Sequence, residues 1–236
     1  MKNKIMTALL GTIFVIVLGI HSASAAEIEV KITNITHGIY FTPLLVTAHD
    51  DATHLFEAGT AASASLQAMA EGGDISGLST DLVGVGADTV ENPAVGVLSP
   101  GDSAIAILDT MTGNSHLSIV AMLLPTNDGF VGLDGLQIPT TPGTYIYYLN
   151  GYDAGTEAND ELINGGGTPG VPGIPAAPGG DGGSGGSGVT ATESNMTVHI
   201  HRGNLGDTDG TGGASDLNST IHRWLNPVAK VELTVQ

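Results

Sequence analysis

Two turns gather carboxylates at spacings that suit a hard cation. In "YDAGTE" (152–157), Asp153 and Glu157 are four residues apart, and Gly155 between them predicts a turn that points both acids into one cavity. In "LPTNDGFVGLDG" (124–135), an apolar run ends at Pro125 and the chain reverses through Asn127, Asp128 and Gly129, placing Asp128 at a strand end. Calcium takes about six to eight oxygen ligands at flexible geometry, with a few carboxylates supplemented by carbonyls and water. If strands over 116–124 and 143–149 lie side by side, their loops bring Asp128 to Asp153 and Glu157 at one pole.

Other groupings offer different chemistry. His49, Asp50, His54 and Glu57 in "HDDATHLFEAG" (49–59) are ligand types for zinc or copper, although their spacing fits no standard template and Asp50 reads equally well as the head of an Asx-turn. His49, Asp50 and His54 are the residue basis for an alternative reading as a periplasmic or secreted metal-dependent hydrolase. His199 and His201 in "TVHIHRG" fall on one face of a strand, a geometry that chelates a transition metal if that face is open, while a polar outer face explains them equally well. "DTDGTGGASDLN" (207–218) opens like a calcium loop at Asp207 and Asp209 but has Asn218 where a bidentate Glu is required. No nucleophile elbow, zinc-protease helix, phosphate loop or cysteine is present, so the chain is not expected to be an enzyme. Asp160 and Glu161, just before a glycine run, read as solvated loop charges.

The elements that must carry these residues are mostly strands. Alternating or β-rich runs lie at 27–33, 39–46, 103–108, 116–124, 143–149, 195–201 and 229–235, separated by turn residues. One short helix is expected over "SASLQAMAEGG" (63–73), with Ser63 as its cap and glycine at its end. This pattern predicts an all-β fold, an antiparallel β-sandwich with one short inserted helix. Residues 164–188, rich in Gly, Pro and Ser, are expected to form a flexible surface loop inserted in a single domain over 26–236.

Residues 1–25 read as a signal peptide: Lys2 and Lys4, an apolar run, then "SASAA" for cleavage near Ala25 or Ala26. Secretion or periplasmic export follows, with no membrane span after cleavage. The formal charge is −18 at pH 7, and beyond the leader only Lys31, Arg202, Arg223 and Lys230 are permanent cations. Such a chain repels phosphate backbones and anionic lipid, which disfavours nucleic acid and polybasic membrane docking and favours divalent cations.

Three segments in order, "HDDATHLFEAGTAASASLQAMAEGGD" (49–74), "LSIVAMLLPTNDGFVGLDGL" (117–136) and "YDAGTE" (152–157), resemble the spondin domain, most closely its free-standing bacterial members. The resemblance implies a C2-like β-sandwich, an adhesive extracellular role toward a glycan or protein, and a calcium ion (Ca2+) held by Asp128, Asp153 and Glu157. The chain departs from the animal pattern in having Glu157 where Asp is usual, Gly129-Phe130 where Trp follows the first ligand, and no cysteines. A scaffold whose calcium is purely structural is the remaining alternative.

Overall fold

The computed structural model describes residues 27–110, 113–180 and 182–236, so the expected signal peptide lies outside the described residues. Ten strands form one antiparallel sheet that curls until it nearly closes. The strands are β1 (Glu27–Asn34), β2 (Tyr40–Phe41), β3 (Leu45–His49), β4 (Asp88–Glu91), β5 (Ser103–Asp109), β6 (His116–Leu124), β7 (Gly129–Gln137), β8 (Gly143–Asp153), β9 (His199–Ile200) and β10 (Ala229–Val235). The path runs β4-β3-β6-β7-β8-β10-β1-β5, with β2 on β6 and β9 on β8. The fold is an all-β antiparallel sandwich.

Strict alternation in β1, β5 and β10 sends Ile28, Val30, Ile32, Ala104, Ala106, Leu108, Val231 and Leu233 inward, where they meet Leu117, Ile119, Ala121 and Leu123 of β6. β6 is buried on both faces. Its other side chains, Val120, Met122 and Leu124, form a second core with Phe130 under the helices α1 (Ala64–Gly72) and α2 (Ser76–Gly84). Ser63 caps α1 by accepting from the Leu66 N–H, and Gly73 closes it in the left-handed conformation, as the sequence predicts; α2 follows it directly.

Two differences from the expected strands bear on the site. The 39–46 run is divided by Thr42-Pro43 into β2 and β3. β7 stands between β6 and β8, so 116–124 and 143–149 are not neighbours. Two glycines inside the described strand, Gly132 and Gly135, hide its β pattern. Gly132 is required by packing, since a Cβ there would lie 2.6 Å from Phe56 Cζ in the Phe56–Phe130–Tyr152 aromatic cluster.

The described residues of the 164–188 stretch form no strand or helix and are fastened by carboxylates from elsewhere. Glu71 Oε2 accepts from the Gly170 N–H (2.6 Å), and Asp216 Oδ1 accepts from the amides of Ser184, Gly185 and Gly186. Ile174 is fully buried.

Candidate functional site

The β7–β8 ladder builds the pole. Gly129 is paired with Asp153, and the Ala154 N–H donates to the Asp128 carbonyl (3.2 Å), so Asp128 at the start of β7 faces the turn that leaves β8. That turn depends on Gly155, whose φ of +70° and contacts of 2.6–2.8 Å between a hypothetical Cβ and the backbone of Asn195 and Thr197 exclude a side chain. The closeness of Asp128 to the 153–157 turn expected from the sequence is thus produced through β7, not through direct pairing of β6 with β8.

The three acids are held differently. Asp128 is fully buried; its Oδ2 accepts from the Thr156 N–H (2.8 Å), the Thr156 hydroxyl (3.2 Å) and the Glu157 N–H (3.1 Å), while Oδ1 has no partner. Glu157 is also buried; its Oε2 accepts from the Gly173 N–H (3.0 Å) and Asn127 Nδ2 (3.4 Å), while Oε1 has none. Both oxygens of Asp153 are occupied, Oδ1 by the Gly155 N–H (2.8 Å) and Oδ2 by Asn159 Nδ2 (2.7 Å), with His199 Nε2 at 3.8 Å.

Among the described residues no arginine or lysine forms an ion pair with these acids. Burial pushes the Asp128 carboxyl up to about 7, with the neighbouring Asp153 adding to the shift and the Thr156 and Glu157 amides opposing it. Burial likewise raises Glu157 to about 7, and Asp153 is raised chiefly by burial. Beside Asp153 opens a polar cavity of about 280 Å³ lined by Asn159, Glu193, Asn195, His199 and Arg202, among others.

Asn127 and Glu161 belong to this pole although the sequence pointed to neither. Asn127 donates to Asp160 Oδ1 (2.8 Å) and accepts from the Glu161 N–H (3.1 Å), joining the β6–β7 turn to the end of the acidic stretch. Glu161 is not a solvated charge. It is buried, and it accepts from the amides of Leu205 (2.6 Å) and Gly206 (2.8 Å) and the hydroxyl of Ser215 (2.6 Å), which pins the 205–215 loop. Its neighbours Leu162 and Ile163 were the only hint that the chain turns inward there.

Among the described residues the histidine groupings do not gather into a metal-binding cluster. Buried His49 donates from Nδ1 to the Asp50 carbonyl (2.7 Å), and its Nε2 is hydrogen-bonded to the Ser118 hydroxyl (2.7 Å). His54 pairs through Nδ1 with Asp134 Oδ2 (2.6 Å), and Asp50 heads an Asx-turn onto the Ala52 N–H. His201 is buried against Trp224 (ring centroids 5.0 Å apart), accepts from the Gly203 N–H and is held neutral, its pKa lowered to about 3 by burial; His199 faces Asp153. Asp207 spends its carboxylate on the amides of Asp209, Ala214 and Ser215.

Among the described residues no three His, Cys, Asp or Glu side chains form a ready-made metal cage. What the pole offers a hard cation is narrower and chemically suited to it: two buried, unpartnered carboxylate oxygens, Asp128 Oδ1 and Glu157 Oε1. Among the described residues no helix is long and apolar enough to cross a membrane.

No curated protein gives a significant match to the chain. The family model described as Spondin_N matches residues 33–161, more than half of the 236 residues, and this span contains Asp128, Asp153 and Glu157. The chain belongs to the spondin N-terminal family and carries a spondin-like extracellular domain.

Proposed function

We propose that the protein is an exported calcium-binding module whose ion stabilises the pole formed by the β6–β7 turn and the 153–161 segment, and whose surrounding loops adhere to an extracellular glycan or protein. The observation that supports the ion is the pair of buried oxygens without partners on Asp128 and Glu157. Leaving buried carboxylate oxygens unpaired costs stability, and a bound cation relieves it. Asp128 and Glu157 would hold the ion, Asp153 would add negative field beside them, and carbonyls and water would complete the coordination shell. Bound calcium supplies charge neutralisation at a turn that otherwise concentrates like charge. The polar cavity beside Asp153, with Arg202 and Glu193 among its lining groups, supports recognition of a hydroxyl-rich or charged partner next to the ion.

Thermal unfolding in calcium and in chelator tests the ion. Calcium at about a hundred times its dissociation constant adds about 2.7 kcal/mol, which for a domain of this size raises Tm by roughly 5–10 °C. Asp128→Asn is expected to remove most of that rise. Identical wild-type melting curves would contradict the proposal. Binding to glycan and matrix-protein arrays that disappears in chelator supports the adhesive role, and binding to none favours a scaffold.

A further inference from the structure

The outer face of the β8-β10-β1-β5 wall differs from the rest of the surface. Its register aligns three rows across four strands: Ile107–Glu29–Thr234–Thr144, Ile105–Lys31–Glu232–Ile146 and Ser103–Thr33–Lys230–Tyr148. Ile105, Ile107, Ile146 and Tyr148 are 51%, 55%, 54% and 63% exposed, a concentration of large apolar side chains on the outside of this wall. Hydroxyl pairs between Thr33 and Ser103 (2.8 Å) and between Thr144 and Thr234 (3.1 Å) tie neighbouring strands along it. In a chain of formal charge −18, these three rows set Glu29 and Glu232 against Lys31 and Lys230, two of the four Lys or Arg residues that follow Lys4, and the next row of the same face adds the exposed acids Glu27 and Asp109 at one end.

We infer that this face is the interface of a symmetric dimer, its partner a second copy of the same chain. The middle row carries the inference because it is complementary to itself. A two-fold axis in the interface, running along the strands between β1 and β10, lays β1 of one protomer over β10 of its partner and β5 over β8. Ile105 then meets the other copy's Ile146, and Lys31 meets the other copy's Glu232, each contact occurring twice. In the outer rows Glu29 meets threonine, Lys230 meets threonine and Tyr148 meets serine, so no like charges oppose one another. Packed sheets turn by about 30°, which keeps the rows near the axis in closest register. Elsewhere the strong excess of acid makes two copies repel; within the three rows two acids meet two lysines and the apolar area is available.

The test uses two positions that do not touch within one protomer. Ile105 on β5 and Ile146 on β8 are three strand spacings apart, about 14 Å, and meet only across the two-fold. Sedimentation velocity of the processed, exported protein across micromolar to millimolar concentration is expected to show a reversible dimer. Ile105→Glu alone and Ile146→Lys alone are each expected to weaken it about tenfold or more, and the double variant to recover much of the loss because opposite charges then meet across the axis. Both sites are exposed, and circular dichroism confirms that each variant is folded. A wild type that stays monomeric throughout, a dimer indifferent to either substitution, or losses that simply add in the double variant would overturn the inference.

Discussion

Asp128 and Glu157 owe their behaviour to burial more than to their neighbours. Each is pushed to about 7, so below that pH the folded, ion-free protein holds protons that the unfolded chain releases near its ordinary carboxylate range. The sign follows directly. Stability from these groups is fully present below about pH 4 and is lost as pH rises through about 7. In chelator the protein is therefore expected to be more stable at pH 5 than at pH 7.5 by about 2 kcal/mol, counting Asp128 with allowance for relaxation. The proposed calcium would take the ionised forms and is expected to reverse much of this, and urea unfolding at the two pH values with and without the ion measures it. These residues were legible in the sequence because a Gly-containing turn and a strand end with adjacent acids have a recognisable chemistry. Glu161 was not legible: its partners Leu205, Gly206 and Ser215 lie more than forty residues away, and nothing local distinguishes a buried carboxylate from a solvated one.

At the scale of elements, strands with clean alternation were readable and strands shaped by packing were not. β1, β5 and β10 alternate because one face looks inward and the other outward. β7 is concealed by its glycines, and Gly132 exists to admit Phe56, which arrives from a loop far back in the chain. The 164–188 stretch shows how such a segment is fastened without a core of its own. Its glycine amides are donors that Glu71, Glu157 and Asp216 accept from. The same device holds the 205–215 loop to Glu161. Glu161→Ala leaves two amides and a hydroxyl without their acceptor and is expected to cost about 3 kcal/mol. Hydrogen exchange should show faster opening at Leu205 and Gly206 in this variant, with β1 and β10 protected as before; unchanged exchange there would show that the carboxylate does not hold the loop.

For the whole molecule, the family match ends at Glu161, yet the sheet is completed by β10, which lies between β8 and β1 and supplies Val231 and Leu233 to the core. The C-terminal segment is thus structurally part of the sandwich, and it also furnishes the cavity beside Asp153 through Glu193, Asn195, His199 and Arg202. An acidic exterior, one sheet face that combines exposed apolar side chains with Lys31 and Lys230, and one pole where two buried carboxylates each keep an unpartnered oxygen give the molecule regions of distinct physical character. The pole carries the central claim, and direct titration with calcium tests it without relying on stability. Isothermal calorimetry at pH 7.5 is expected to show one calcium per chain, with proton release visible as a dependence of the measured heat on buffer ionisation enthalpy, and to lose that binding in Asp128→Asn and in Glu157→Gln. Absence of calcium binding by the folded wild type, or binding left intact in both variants, would contradict the account.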